Sequence, residues 1–179
     1  MNFLIPNALT ACNLLMGLAA IACAWRGHPV PACWMILGCV LLDGLDGPAA
    51  RRWNGKSGFG SLFDSCADFV SFGLAPAALF YRSGALMAQA AAIYLFCAAA
   101  RLIRFQRMTE SERSGDFLGL PTTASGALYA AWRLWGPFFP GWELLPAAGI
   151  LALSGLMISR LRFPRIINST EAKPAIPSP

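Results

Sequence analysis

Stretches of about twenty mostly apolar residues recur along the chain from its N-terminal region to about residue 160. A helix of that length spans the hydrocarbon core of a bilayer, where backbone polar groups must bond within helices or a closed barrel. The composition agrees, because 56% of the residues are hydrophobic and only 13% are charged, against about a quarter in soluble domains. The sequence therefore predicts an all-α, polytopic membrane protein.

Six such windows predict six transmembrane helices. The first window lacks a basic region before it and is long enough to span, so we expect a retained helix rather than a cleaved signal peptide. We expect one six-helix transmembrane catalytic domain over residues 1–165, followed by a polar, Pro-containing and disordered tail over 166–179. The predicted windows are 7–25, 30–51, 60–81, 84–105, 121–139 and 142–160.

The basic residues are concentrated on one side of this predicted topology. Loops on the opposite side carry only Arg26 and Arg82. Because cytoplasmic loops of membrane proteins are enriched in Lys and Arg, both termini are predicted to lie in the cytoplasm, with the chain in the inner membrane. The bias also accounts for most of the +5 formal charge without a nucleic-acid partner. The residues on the basic side are Arg51, Arg52, Lys56, Arg101, Arg104, Arg107, Arg113, Arg160, Arg162, Arg165 and Lys173.

Four aspartates fall between positions 43 and 68, out of nine acidic residues in the chain. Asp43 and Asp46 are three residues apart, and Asp64 and Asp68 are four apart, so each pair shares a helix face. Like charges so placed repel each other, and each acid near the middle of a spanning helix costs about 2.5–3.5 kcal/mol. A bound cation removes both penalties. Oxygen donors without His or Cys suit Mg²⁺ or Mn²⁺, and a centre of two such ions can clamp a phosphoryl group.

Small residues adjoin the first aspartate pair. Gly47 and Ala50 continue the same helix face, Arg51 follows them, and Gly60 opens the next predicted helix. Glycine and alanine also favour plain helix packing in membranes, which is the alternative explanation. Beside four carboxylates and an arginine suited to phosphate, they indicate a pocket for a phosphorylated ligand of nucleotide size.

Residues 43–68 follow the pattern D-x2-D-G-x2-A-R-x8-G-x3-D-x3-D. This resembles the signature of the CDP-alcohol phosphatidyltransferases, which move a phosphatidyl group from CDP-diacylglycerol to an alcohol and release CMP. The resemblance implies a six-helix membrane fold, a homodimer and two divalent ions. It also implies metal-binding roles for Asp43, Asp46, Asp64 and Asp68, a further catalytic role for Asp68 as general base, and CDP-binding roles for Asp46, Gly47, Ala50, Arg51 and Gly60.

Other segments resemble the serine-transferring branch of this family, which implies L-serine as the acceptor. They are LIPNALTACNLLMGLAAI, SFGLAPA, ARLIRFQ and FLGLPTTASG. The chain departs from the expected pattern at Thr123, where a second proline is expected, and at Ile103, where a small residue is common.

Four residues are the candidates for binding the acceptor. Arg101 and Arg104 share a helix face and can grip a carboxylate with a planar fork, and Thr122 and Thr123 add hydroxyl groups in the loop that follows. Within the family, the alternatives are acceptors such as glycerol-3-phosphate or inositol phosphate, whose extra phosphate the same arginines could bind. From another class, intramembrane acids also occur in cation-coupled transporters.

Overall fold

The computed structural model describes residues 4–52, 58–107, 117–138, 146–159 and 162–163. Within these ranges the chain is almost entirely helical. The expected tail over 166–179 lies outside them, so the proposed division into a domain and a tail stays a prediction. The helices are α1 (Leu4–Trp25), α2 (Pro29–Arg52), α3 (Gly58–Asp68), a π-helix (Phe69–Leu74), α4 (Ala75–Tyr81), α5 (Ala85–Arg107), α6 (Thr122–Trp135), a short 3₁₀ turn (Gly136–Phe138) and α7 (Pro146–Ile158).

The α3 helix, the π-helix and α4 run on without a break, so the described part of the chain forms six long helical segments. This confirms the all-α fold class and the predicted helix count. The π-helix was not predicted, because its apolar sequence reads like any other stretch of a spanning helix. It begins directly after Asp68, and π-helical turns are frequent at functional sites.

Three of the described segments are long and apolar enough to cross a membrane: Asn7–Trp25, Gly60–Tyr81 and Ala85–Arg107. Pro29–Leu45 and Ala147–Ile158 are shorter apolar helices. Large apolar side chains such as Leu15, Leu41 and Phe96 point outward and are more than 60% exposed. The chain is a multi-pass membrane protein.

The π-helix lies at the centre of the bundle, where α1, α5 and α6 all pack against it. Two glycines permit this close approach. A Cβ atom on Gly17 of α1 would lie 2.5 Å from Ser71 Oγ, and one on Gly126 of α6 would lie 3.2 Å from Phe72 Cδ1. Small residues at helix contacts are the usual means of close packing in membranes, where dispersion forces replace the hydrophobic effect between helices.

A cluster of aromatic rings fills the core next to the π-helix. Phe80 lies edge-on to Tyr94, with ring centroids 5.4 Å apart, and to Tyr129, with centroids 3.8 Å apart. Around them the buried positions are mostly alanine. Since aromatic pairs in this geometry contribute beyond their buried area, the cluster fixes how α4, α5 and α6 meet.

One end of the bundle is rich in exposed aromatic residues and is called the aromatic end here. Trp25 and Tyr81 have ring centroids 5.8 Å apart, and Trp34 and Trp135 have centroids 6.3 Å apart. Arg82 Nη1 also donates a hydrogen bond of 2.9 Å to the Trp25 carbonyl. Tryptophan and tyrosine are enriched where a membrane meets water. At 1.5 Å per residue, Asp43 and Arg101 lie about 20–25 Å along their helices from this end.

A small strand pair joins the two segments that flank the last helices. Strand β1 (Phe117–Leu118) pairs antiparallel with β2 (Arg162–Phe163), so that Phe117 faces Phe163. Two-residue strands carry no alternating pattern, so the sequence could not predict them. The pair holds the chain before α6 against the chain after α7.

Candidate metal centre and active site

The carboxylates of Asp43, Asp64 and Asp68 converge at the end of the bundle opposite the aromatic end. One oxygen from each lies within 4.8 Å of the others, and all three side chains are half-buried. Asp43 comes from α2, whereas Asp64 and Asp68 lie one turn apart on α3. Sequence spacing placed each pair on one face, and the fold brings the two faces together. The side chain of Asp46 lies outside the described part of the structure, so its role stays a prediction.

This donor set fits a hard divalent cation. Carboxylate oxygens are the ligands that Mg²⁺, Mn²⁺ and Ca²⁺ prefer, and softer ions favour sulfur or imidazole. Three half-buried carboxylates so close together repel one another unless positive charge lies between them. The chain thus contains an aspartate cluster that can hold a divalent metal ion.

A backbone carbonyl of α1 aligns the two helices that carry the aspartates. Ser71 Oγ donates a hydrogen bond of 3.1 Å to the Asn13 carbonyl, and Cys39 Sγ makes a contact of 3.6 Å with the same oxygen. Cys39 lies one turn before Asp43, and Ser71 follows Asp68 by three residues. Because both contacts are buried, they set the relative depth of α2 and the π-helix, and with it the meeting of the carboxylates.

A second polar network joins the π-helix to the start of α6. Tyr94 Oη lies 2.7 Å from the Phe72 carbonyl and 3.1 Å from Ser125 Oγ, which lies 2.8 Å from the Thr122 carbonyl. The two hydroxyl groups have only two protons for these three contacts, so the contacts must share the protons. Sequence reasoning missed this network. The sequence signal for it is a single tyrosine among alanines in α5. The hydroxyl group of a buried tyrosine needs a hydrogen-bond partner, which in a helix bundle comes from a neighbouring helix.

Thr123, predicted to bind the acceptor, hydrogen-bonds to the aspartate cluster, and its acceptor role stays a prediction. Its Oγ1 donates to Asp43 Oδ2 over 3.1 Å. Thr122 is buried beside it, at the first residue of α6. The loop predicted to close over an amino acid therefore does lie at the aspartate cluster, but one of its hydroxyl groups holds a carboxylate.

The two candidate arginines occupy different surroundings. Arg101 is 8% exposed and lies within electrostatic range of Asp68, and no acceptor among the described residues reaches its buried Nε. Arg104 Nη1 instead donates a hydrogen bond of 3.2 Å to the Ile158 carbonyl, at the C-terminal end of α7. A cation at that position satisfies a carbonyl that the helix leaves open.

Gly119 brings the loop before α6 against this same end of α7. Its φ of 78° is in the region that favours glycine, and a Cβ there would lie 2.6 Å from the Met157 carbonyl. The Leu120 amide then donates to the Leu156 carbonyl over 3.0 Å. A residue other than glycine would push the loop that leads to Thr123 away from the end of α7.

The predicted CDP-binding residues fall only partly within the described structure. Gly60 is buried in the first turns of α3, four residues before Asp64. Gly47, Ala50 and Arg51 belong to the last turns of α2, but what surrounds them lies outside the described set. Their roles stay predictions.

A family model for CDP-alcohol phosphatidyltransferases matches residues 3–159, a range that includes the aspartate cluster and all helices described above. The chain belongs to this family. The membership agrees with the resemblance drawn from the signature at 43–68, and the matched range contains the three convergent carboxylates.

Individual relatives are similar over nearly the whole chain. The CDP-diacylglycerol–serine O-phosphatidyltransferase of Helicobacter pylori is 34% identical over 171 residues, which cover 90% of this chain and 72% of the relative. The enzyme of the same name from Bacillus subtilis is 34% identical over 169 residues, covering 92% and 91%. The archaetidylserine synthase of Methanothermobacter thermautotrophicus is 33% identical over 169 residues, covering 90% and 70%.

Proposed function

We propose that this protein transfers a phosphatidyl group from CDP-diacylglycerol to the hydroxyl group of L-serine, giving phosphatidylserine and CMP. The observation that carries the proposal is the convergence of Asp43, Asp64 and Asp68 in a chain of this family. The similar proteins support the acceptor, because their names share serine while the lipid part differs between phosphatidyl and archaetidyl.

In the reaction, the serine oxygen bonds to the phosphorus of the phosphatidyl group while the bond from that phosphorus to the CMP oxygen breaks. The serine proton passes to the Asp68 carboxylate, the proposed general base, because an un-ionised hydroxyl group is a weak nucleophile. Two Mg²⁺ or Mn²⁺ ions, held by Asp43, Asp46, Asp64 and Asp68, would supply the positive charge that stabilises the pyrophosphate and the departing CMP.

Arg101 is the residue that we propose to bind the serine carboxylate. Its guanidinium is buried near Asp68, with Nε lacking an acceptor among the described residues. A buried polar group of this kind is costly unless a ligand satisfies it. Thr122, buried at the start of α6, is a secondary candidate, whereas Arg104 and Thr123 have partners within the protein and would reach serine only by giving them up.

For the nucleotide, we propose that Asp46, Gly47, Ala50, Arg51 and Gly60 contact the CDP portion of the donor. Small residues let the backbone approach a bulky ligand, and arginine pairs with phosphate through two parallel hydrogen bonds. We further propose a homodimer, on the family resemblance.

We also propose that the aspartates face the cytoplasm from the inner membrane. The loops at the aromatic end carry only Arg26 and Arg82, and the basic residues cluster at the other end. A labelling experiment tests this orientation. Cysteines are introduced near Lys56 or His28 after replacing the exposed Cys12 and Cys66. An impermeant thiol reagent should reach the first position only from the cytoplasmic side and the second only from outside, and the reverse pattern would overturn the assignment.

The activity is tested with purified protein in lipid nanodiscs, CDP-diacylglycerol and a panel of acceptors. CMP release and the lipid product are measured with L-serine, glycerol-3-phosphate, inositol phosphate or no acceptor. We expect release that depends on serine. Faster release with a phosphorylated acceptor would support the same transfer reaction but show that serine is not the acceptor. No release with any acceptor would contradict the proposed enzyme activity and favour another class, such as a transporter.

A further inference from the structure

Thr123 occupies an unusual position for a residue expected only to touch the acceptor. Its hydroxyl group lies 3.1 Å from Asp43 Oδ2, and it stands where the family resemblance leads us to expect a proline, which has no hydroxyl group. We propose that Thr123 is a positioning residue for the metal centre, which orients the Asp43 carboxylate toward Asp64 and Asp68. This inference rests on the metal-dependent chemistry of the proposed function.

The physical need for such a residue follows from the arrangement of the cluster. Asp43 approaches from α2, opposite two carboxylates on α3, whose negative charge pushes it away when no cation is bound. The terminal torsion of an aspartate is soft, so the repelled group can turn its oxygens out of the cluster. A hydrogen bond to Oδ2 restricts that rotation. Outer partners of metal-binding carboxylates act in this way and change metal affinity by about 10–100-fold when removed.

Three contacts hold the first turns of α6, which carry Thr123, in place. Thr123 lies in the first turn of α6, where the Ser125 amide donates a bond of 3.0 Å to the Pro121 carbonyl. Ser125 Oγ contacts Tyr94, which reaches the π-helix after Asp68. One turn further, Gly126 packs closely on Phe72, where a Cβ would lie 3.2 Å from Cδ1. The donor to Asp43 is therefore fixed to the segment that carries Asp68, and the two sides of the cluster are aligned by one network.

The test compares Thr123→Val, Thr123→Ala and Thr123→Ser in the full-length protein in nanodiscs. Valine matches the shape of threonine without its hydroxyl group, alanine cannot clash, and serine keeps the donor. Ser154→Ala is the matched control, because Ser154 Oγ donates a buried bond of 2.8 Å to the Ile150 carbonyl on α7. Its loss removes one buried hydroxyl bond that does not involve an aspartate.

The first measurement is Mn²⁺ binding without substrate, followed by electron paramagnetic resonance of the free ion. We expect valine and alanine to weaken Mn²⁺ binding by about 10-fold or more, serine to restore most of it, and Ser154→Ala to bind as the unchanged protein does. Affinities equal to that of the unchanged protein in both hydroxyl-free variants would overturn the proposal, whichever acceptor the enzyme uses.

The second measurement is CMP release as a function of Mn²⁺ and of serine. We expect the hydroxyl-free variants to need more Mn²⁺ for half-maximal rate and to recover most of kcat when Mn²⁺ is saturating, with the KM for serine unchanged. A raised KM for serine at unchanged Mn²⁺ binding would instead make Thr123 an acceptor contact. Because Mn²⁺ binding needs no turnover, a failure of the serine assignment leaves the first result standing.

Discussion

The two ends of this helix bundle are built from the same helices but differ in whether their side-chain contacts are attractive or repulsive. At the aromatic end, Trp25 packs on Tyr81 and accepts a hydrogen bond from Arg82, so attractive contacts follow one another. At the other end, Asp43, Asp64 and Asp68 crowd charges of one sign into a half-buried space. The first end contributes stability from its own contacts, whereas the second costs stability until a ligand arrives.

The contacts that offset the repulsion between the aspartates come from other helices. The aspartates come from α2 and α3, but the groups that align them belong to α1, α5 and α6: the Asn13 carbonyl, Tyr94 and Thr123. These contacts lie deeper in the bundle than the carboxylates or beside them. A destabilising cluster can therefore persist because a packed, hydrogen-bonded core holds its helices, and the two ends should respond differently to perturbation.

The largest effect is expected from removing metal. Excess chelator should abolish CMP release, and Mn²⁺ or Mg²⁺ should restore it, because the cluster offers only oxygen donors. Helix content, measured by circular dichroism, should stay unchanged, since the core does not depend on the ion. Full turnover in excess chelator would contradict the metal-dependent mechanism. Loss of helix content would show that the stability of the bundle depends on the metal centre.

The next effect is expected from Asp68→Asn, which keeps the shape of the side chain and removes its charge. Turnover should fall by at least ~10²-fold, the low end for loss of a general base. Binding of CDP-diacylglycerol should suffer less than in Asp46→Asn, if Asp46 lies nearer the nucleotide. Near-normal turnover in Asp68→Asn would mean that another group takes the serine proton.

A smaller effect is expected from Arg101→Lys, which keeps the charge and loses the planar fork. The KM for serine should rise about 10-fold, equivalent to losing about 1.4 kcal/mol of binding, while CDP-diacylglycerol binding stays intact. Arg104→Lys is the matched comparison, because its described bond goes to the end of α7 and its loss should lower stability more than serine affinity. If both variants use serine normally, acceptor recognition lies elsewhere.

The smallest effect on activity is expected from Trp25→Leu at the aromatic end. It removes the contact with Tyr81, a type of pair that contributes about 0.5–1.5 kcal/mol. The melting temperature should fall by about 2–4 °C per kcal/mol lost, with turnover within about twofold of the unchanged protein. A large loss of turnover would show that the aromatic end influences the geometry of the aspartates, so that the two ends do not respond independently.

The sequence by itself determined the membrane class, the six helices and the identity of the candidate metal-binding carboxylates. Apolar windows and helical spacing are local properties, so Asp64 and Asp68 share a face whatever surrounds them. The signature between 43 and 68 is likewise contiguous along the chain. These features could be predicted because each depends on residues within one or two helices.

Only the tertiary structure decided which helix meets which, and at what depth. Thr123 and Asp43 are 80 residues apart, and Tyr94 and Phe72 are 22 apart on different helices, so no spacing rule links them. The same holds for Arg104, which lies three residues from Arg101 on the same helix but whose hydrogen bond goes to the end of α7. Side chains on one helix face acquire different partners when neighbouring helices pack against them. Close packing and the need to satisfy buried polar groups determine which partner each side chain has.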